Sequence, residues 1–244
     1  MALAAAARNP YLAPMNSVRA RDLFVTLFQS HPWHGVPATV NAAGIFNAYI
    51  EIVPDEAVKY ELDKVSGHLR IDRPQLFSSN CPTLYGFVPQ TYCGASVAAR
   101  CAERARLEGI EGIEGDGDPL DICVLTEKSI SHGNFLCSAR PIGGLRMIDG
   151  NQADDKIVAI LEADIAYGHM RDITDCPAGV VDRLKHYFLS YKQRPDDPTR
   201  KVSIAEVYDR AEALEVIRRS IADYRQTFGE PEGRVGELRR VLAP

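Results

Sequence analysis

The sequence predicts a mainly β fold in which a small closed sheet has helices packed against it. Short apolar or alternating segments of strand type follow one another as far as Leu161, and two segments with helical spacing come after it. Strands followed by helices are typical of this arrangement. The 244 residues are 45% hydrophobic and 25% charged, which is enough for one sizeable core, so we expect a single domain over 1–244.

Six segments are predicted as strands because their apolar residues alternate or run together between turn residues. In chain order these segments are 46–53, 59–64, 69–73, 122–125, 135–147 and 157–161. Two later segments repeat their apolar residues at helical spacing, which predicts helices over Val180–Lys192 and from Ile204 to about Phe228.

Three further segments stand outside this core. Residues 1–30 are expected to form an N-terminal arm with a short helix from about 18 to 29, because Asn16 and Ser17 can cap it. Residues 94–115 form an insertion with a helical centre, 95–107, and a glycine-rich end. As a hypothesis, this insertion is a flap over a substrate opening, an oligomer contact or a solvated excursion. Residues 229–244 are expected to form a tail.

Charge and cysteine usage exclude several classes of protein. The formal net charge of −5 disfavours non-specific nucleic-acid binding, which needs a basic surface. No apolar run approaches the roughly 18 to 20 residues that cross a bilayer, so no membrane association is expected. Six cysteines without a Cys-x-x-Cys pair indicate a reduced, cytoplasmic protein. Arg8, Arg19 and Arg21 precede any clear acidic block and leave an organellar presequence open.

Three aspartates lie close together just before a predicted buried strand. Asp116, Asp118 and Asp121 are spaced i, i+2 and i+5, with a glycine that permits a tight turn. Carboxylates this close repel one another, and hard cations such as Mg²⁺ or Mn²⁺ relieve that repulsion. A solvated acidic turn is the alternative. An EF-hand does not fit, because Asp121 stands where that loop needs glycine.

A second acidic cluster also lies between two predicted strands. It contains Asp149, Asp154 and Lys156. By itself it is an ordinary polar hairpin. Together with the first cluster it indicates a phosphoryl-transfer centre that holds more than one metal ion, with Lys156 supplying a cation for phosphate.

The segment Asp116-Gly-Asp-Pro-Leu-Asp121 resembles the Asp-x-Asp-Pro-x-Asp signature of soluble family I inorganic pyrophosphatases. The resemblance extends from His31-Pro-Trp-His34 to Lys192, about two-thirds of the chain, with matching order and nearly matching spacing. It implies an OB-like five-stranded β-barrel with C-terminal helices. It also implies Mg²⁺-dependent hydrolysis of inorganic pyrophosphate to two phosphates, several Mg²⁺ ions per active site, and a homo-oligomer.

Carried over position by position, the resemblance implies three groups of site residues. The metal ligands would be Asp116, Asp121, Asp149, Asp154 and Glu51. The groups that contact the phosphates would be Lys59, Arg73, Lys156, Tyr191 and Lys192. Asp118 would orient and deprotonate the attacking water, Tyr85 would hydrogen-bond the substrate or the nucleophile, and Glu61 would belong to the acidic wall of the cavity.

The chain departs from the family pattern beside Tyr85. Where the family usually has Tyr-Pro-x-Asn-Tyr-Gly, this sequence has Cys81-Pro-Thr-Leu84-Tyr-Gly. No histidine or thiol-enzyme motif accompanies Cys81, so we expect it to pack rather than to act as a nucleophile. The departure leaves two alternatives open: a phosphohydrolase for a larger diphosphate or polyphosphate, and a non-catalytic binding protein on the same barrel.

Overall fold

The computed structural model describes residues 30–105, 112–194, 196, 201–230 and 233. The predicted helix at 18–29, nearly all of the arm and most of the tail lie outside the described residues, as does 106–111 of the insertion. No helix in the described ranges is long and apolar enough to cross a membrane.

Eleven strands and three α-helices make up the described chain. The strands are β1 Thr39–Asn41, β2 Ile45–Ile52, β3 Val58–Leu62, β4 Leu69–Pro74, β5 Leu84–Phe87, β6 Glu114–Gly115, β7 Asp121–Leu125, β8 Phe135–Asp149, β9 Gln152–Ala153, β10 Lys156–Leu161 and β11 Val202–Asp209. The helices are α1 Ala95–Ala105, α2 Ala178–Ser190 and α3 Arg210–Phe228.

Five of these strands close into a barrel. They pair in the order β2-β5-β7-β10-β8, and β8 pairs back onto β2. The strands β1, β6, β9 and β11 extend this sheet at its margins, and β3 and β4 form a separate hairpin. The closed barrel with helices around it confirms the predicted fold class.

Strands β7 and β10 run through the centre of the molecule because both of their faces are apolar. Ile122 and Val124 pack into the same core cluster as residues of α1 and α3, whereas Cys123 and Leu125 pack into the cluster that holds α2. Alternate side chains of a strand point to opposite faces, so one strand serves two cores. Acidic residues lie at the start of β7 and just before the start of β10, so these two strands fix their positions.

The predicted helix from 204 to 228 is wrong in its first part. Val202–Asp209 is strand β11, which pairs antiparallel with β8, and the helix begins only at Arg210. Asp209 caps α3 by accepting a hydrogen bond from the backbone N–H of Glu212, 2.9 Å away. Strand β5 is also absent from the predicted set, because its four residues include Gly86 and are too short for an alternating pattern.

The helical centre predicted for the insertion is α1, and it is anchored to the rest of the chain. Its residues Val97 and Cys101 are buried in the main core. The buried carboxylate of Asp223 in α3 accepts hydrogen bonds from the backbone N–H groups of Gly94, Ser96 and Val97, at 3.0–3.1 Å. The solvated-excursion hypothesis is therefore wrong for α1, and none of the described residues of the insertion lines the cavity described below.

Candidate active site

One open cavity of about 320 Å³ gathers every site residue expected from the sequence. Its lining includes Glu51, Lys59, Glu61, Arg73, Tyr85, Asp116, Asp118, Asp121, Asp149, Asp154, Lys156, Tyr191 and Lys192. These residues come from separate parts of the chain, so it is the barrel that brings them together.

The two acidic clusters meet because they lie at the starts of parallel strands that begin at the same edge of the sheet. Strands β7 and β10 are parallel neighbours, and Asp121 is in register with Lys156. Strands β6 and β9 are also parallel, and Gly115 is in register with Ala153, which places the loop after β6 beside Asp154. This arrangement joins the two clusters as the sequence predicted.

The loop of Asp116 and Asp118 is held by its backbone. Gly117 has φ +76°, a left-handed conformation that glycine adopts at little cost. The backbone N–H of Asp118 donates to Asp116 Oδ1 at 2.9 Å, and the carbonyl oxygen of Asp118 accepts from Cys93 N at 2.8 Å. Asp118 is left half-exposed at the cavity mouth, and its carboxylate accepts a hydrogen bond from Lys64.

Lys156 lies at the base of the cavity between two carboxylates. Its ammonium group donates to Asp121 and Asp154, and its side chain is almost fully buried. Burial alone would lower the pKa of Lys156, but Asp121 and Asp154 raise it well above the usual value. The hydroxyl of Tyr85 donates to Asp121 Oδ2 at 2.6 Å. Gly86 beside it is required, because a Cβ there would lie 1.9 Å from the Tyr49 carbonyl oxygen on β2.

The β3–β4 hairpin forms a second wall with alternating charges. Lys59 donates to Glu61 and to Asp72, the latter at 3.0 Å, and Arg73 donates to the same Asp72 at 2.7 Å. Behind this wall, buried Glu51 accepts a hydrogen bond from the backbone N–H of Leu62 at 2.6 Å. The hairpin thus presents Lys59 and Arg73 to the cavity, and their carboxylate partners are partly exposed to solvent.

Tyr191 and Lys192 follow directly after α2 and complete the opposite wall. The predicted helix over 180–192 therefore ends two residues earlier, at Ser190. Lys192 donates to Asp149 at 2.5 Å, and Tyr191 packs against Tyr187 and Phe188. The side chain of Lys192 is 44% exposed, so an anion in the cavity can reach it.

Two carboxyl groups of the site are held in an unfavourable environment for charge. Burial, offset in part by the Leu62 N–H, raises the pKa of Glu51 to about 8. Burial and the nearby charge of Asp154 raise the pKa of Asp116 to about 8. A bound cation would relieve both effects, because it attracts the ionised carboxylates.

The sequence interpretation missed three polar residues that also line the cavity: Lys64, Asp72 and Gln152. The strand predicted over 59–64 places Lys64 at the end of a strand. Lys64 lies in the turn of the β3–β4 hairpin, and only the folding of that hairpin over the loop of Asp118 reveals its position. Asp72 precedes Arg73 directly in the chain, and this adjacency was the sequence signal that Asp72 would also lie at the cavity.

The departures from the family pattern lie behind the site rather than in it. Cys81 and Leu84 are each 1% exposed and pack into two different core clusters, and neither lines the cavity. Burial raises the pKa of the Cys81 thiol to about 11, so a thiolate nucleophile is not available near neutral pH. The expected packing role of Cys81 agrees with this environment.

The composition of the cavity fits divalent cations. Eight carboxylates face five basic side chains in the lining. The acidic set is Glu51, Glu61, Asp72, Asp116, Asp118, Asp121, Asp149 and Asp154. The basic set is Lys59, Lys64, Arg73, Lys156 and Lys192. Carboxyl groups outnumber basic side chains in this lining, and carboxylate oxygens are the ligands that Mg²⁺ and Mn²⁺ prefer.

The carboxylates are balanced by lysines in this structure. Among the described residues, no three acidic, histidine or cysteine side chains converge on one centre in a way that would hold a metal ion. Lys156 instead lies between Asp121 and Asp154. The carboxylates fit a cation, and the lysines that now balance them are the groups that a phosphate would attract.

Known proteins resemble this chain over most of its length. The profile of the inorganic pyrophosphatase family matches residues 48–225. An inorganic pyrophosphatase from Chlamydia muridarum is 49% identical over 202 residues, which cover 81% of this chain and 95% of that relative. A soluble inorganic pyrophosphatase from Oryza sativa subsp. indica is 33% identical over 195 residues, covering 80% of this chain and 79% of the relative.

A solved structure has the same architecture. The crystal structure of the inorganic pyrophosphatase from Thermus thermophilus superposes with a TM-score of 0.65 at 28% identity, covering 80% of this chain and 99% of that one. The family profile spans well over half of the sequence, and the barrel, its helices and the acidic cavity agree with it. This chain belongs to the inorganic pyrophosphatase family.

Proposed function

We propose that this chain is an enzyme that hydrolyses inorganic pyrophosphate to two phosphates with the help of Mg²⁺. The observation that carries the proposal is that the acidic and basic residues implied by the family resemblance line one cavity. Its mixture of charges suits a small, highly charged anion that arrives with cations. Family membership supports the same conclusion.

The carboxylates are assigned to cations and to the attacking water. Cations would be held by Asp116, Asp121, Asp149, Asp154 and, behind them, Glu51. When bound, they lower the pKa of water and neutralise charge on the phosphates. Asp118 is half-exposed at the cavity mouth, and we assign it to orienting the attacking water and accepting its proton.

The basic and phenolic side chains are assigned to the anion. Arg73 can bind a phosphate through two parallel hydrogen bonds, whereas the lysines act as point charges. The phosphate contacts we propose are Lys59, Arg73, Lys156, Tyr191 and Lys192. Tyr85 orients the substrate or the nucleophile through its hydroxyl, and Glu61 holds Lys59 in place.

A substrate panel tests this specificity. The purified chain, in Mg²⁺, is expected to release phosphate from pyrophosphate much faster than from tripolyphosphate, a nucleoside diphosphate or a sugar diphosphate. The cavity walls carry charged groups that suit a small polyanion, and neither Cys81 nor Leu84 lines the cavity. Faster release from a larger diphosphate would support the alternative phosphohydrolase, and no release from any of them would support a non-catalytic binding protein.

Mg²⁺ binding is expected to release protons near neutral pH. The pKa values of Glu51 and Asp116 are raised to about 8, so both groups hold a proton at pH 7 in the metal-free protein, whereas a cation binds the ionised form. The affinity for Mg²⁺ should therefore increase as the pH rises towards 8. Calorimetric titration at pH 7 in two buffers with different ionisation enthalpies measures the released protons.

The same two groups affect the stability of the metal-free protein. Between their ordinary pKa values and about 8, the folded state holds more protons than the unfolded state, so the free energy of unfolding should fall as the pH rises through this window. The variant Glu51→Gln should release fewer protons on Mg²⁺ binding and show a smaller loss of stability. Equal heats in both buffers at pH 7 would contradict the assignment.

A homo-oligomer and a cytoplasmic location remain predictions from the family resemblance and the cysteine usage. The hypothesis that the insertion at 94–115 forms an oligomer contact also remains a prediction.

A further inference from the structure

A buried cluster of charges lies behind the cavity, on the side of β10 that faces away from it. Asp154 and Lys156 both line the cavity, whereas Asp155 between them does not. Successive side chains of an extended segment point to opposite sides, so Asp155 points into the protein. There its side chain is 0% exposed, and so is that of Arg146 on β8, whose Nη1 lies 3.6 Å from Asp155 Oδ1.

Arg146 lies on the strand segment that pairs with the backbone on both sides of Asp155. Its chain neighbour Leu145 is in register with Lys156, and the carbonyl oxygen of its other neighbour, Met147, accepts a hydrogen bond from Asp154 N at 3.0 Å. The strand that carries Arg146 therefore contacts both cavity residues through its backbone. The Arg146–Asp155 pair fastens the same two segments from behind.

The guanidinium group of Arg146 also contacts other elements of the fold. Arg146 Nη2 donates to Glu212, Nε lies 3.4 Å from Glu206, and the guanidinium carbon lies 5.0 Å from the centre of the Tyr208 ring. Three carboxylates and three guanidinium groups balance in this cluster. The carboxylates are Asp155, Glu206 and Glu212, and the guanidinium groups are Arg100, Arg104 and Arg146.

The cluster connects α1 to the cavity. Arg100 and Arg104 of α1 bind Glu212 and Glu206, and these two carboxylates bind Arg146. The centre of the cluster keeps polar atoms without a direct hydrogen bond to any described residue, namely Arg146 Nη1, both carboxylate oxygens of Asp155 and the Tyr208 hydroxyl.

We propose that Arg146 and Asp155 are positioning residues, whose buried pairing fixes Asp154 and Lys156 in the cavity and so sets the affinity of the site for Mg²⁺. The inference rests on the proposed function. Asp155 lies between two cavity residues in the chain, and Arg146 lies between the two residues whose backbones pair with them. Groups that orient metal ligands from behind typically change metal affinity about 10- to 100-fold when removed.

The test compares variants of the pair with a variant that weakens the same core by a different route. Asp155→Asn keeps the shape of the side chain but removes its charge, and Arg146→Lys keeps the charge but removes the planar fork. If one of these two variants does not fold, the other carries the test. Val216→Ala, in the core face of α3, is the control for a general loss of stability, because Val216 is buried and uncharged.

The measurements are Mg²⁺ affinity by calorimetry, kcat and KM for pyrophosphate, and melting temperature. The pair variants should lower Mg²⁺ affinity at least 10-fold and raise the Mg²⁺ concentration needed for half-maximal rate, whereas Val216→Ala should lower only the melting temperature. Wild-type Mg²⁺ affinity in the folded pair variants, or the same loss in Val216→Ala, would overturn the positioning role. A wild-type chain that neither binds Mg²⁺ nor hydrolyses pyrophosphate would instead overturn the proposed function.

Discussion

The variant Asp118→Asn is expected to lower kcat by about 10² to 10⁴, which is the typical contribution of a positioned general base. Asparagine has the shape of aspartate but does not accept a proton near neutral pH. The Asp118 side chain is half-exposed at the cavity mouth and accepts a hydrogen bond from Lys64, so its replacement removes no buried contact. Rate, Mg²⁺ affinity and melting temperature should be measured together.

The expected pattern for Asp118→Asn is a large loss of rate with little change in metal affinity or stability. Asp182→Asn is a matched control, because Asp182 is an exposed carboxylate on α2 outside the cavity. The control should behave like the wild type. If Asp118→Asn also kept the wild-type rate, the role assigned to the middle acid of the signature would be wrong.

The variant Asp121→Asn is expected to lower both Mg²⁺ affinity and rate. Asp121 lies at the centre of the site, where its carboxylate accepts hydrogen bonds from Lys156 and from the Tyr85 hydroxyl, the latter at 2.6 Å. Removing the charge takes away a metal ligand, so the loss of affinity should be at least the roughly 10- to 100-fold that follows loss of a supporting hydrogen bond. A calorimetric Mg²⁺ titration of the folded variant measures it.

The two aspartate variants distinguish a base from a ligand. Excess Mg²⁺ should recover part of the rate of Asp121→Asn and none of the rate of Asp118→Asn. If both variants kept their Mg²⁺ affinity, Asp121 would not be a metal ligand. If both lost it equally, the separate role of Asp118 would be contradicted.

Local patterns in the sequence predicted those parts of the fold that depend on local chemistry. Strands β7 and β10 are apolar on both faces and were found within one residue of their observed bounds. The centre of α2 was found from its apolar spacing. Strand β11 was missed because it is stabilised by pairing with β8, more than 50 residues earlier in the chain. The start of α3 was signalled in the sequence, since Asp209 and Glu212 have the spacing of a helix cap.

The meeting of the expected residues in one cavity was predictable, because the family signature and the strand edges point to the same positions. The pairings between them were not predictable. Lys64 comes to Asp118 only through the closure of a hairpin, and Arg146 meets Asp155 only through the antiparallel pairing of β8 with β10. Sequence patterns report neighbours along one element, whereas these contacts depend on how separate elements pack.

The most direct test of the account is phosphate release from pyrophosphate by the purified chain, measured in Mg²⁺, in Ca²⁺ and in excess chelator. For the carboxylate-rich cavity we expect two phosphates per pyrophosphate in Mg²⁺. The rate in Ca²⁺ should be poor, because the larger and looser coordination shell of Ca²⁺ suits the site less well. Excess chelator should abolish turnover, and added Mg²⁺ should restore it. Full turnover in excess chelator would contradict the central claim that cations held by these carboxylates carry the reaction.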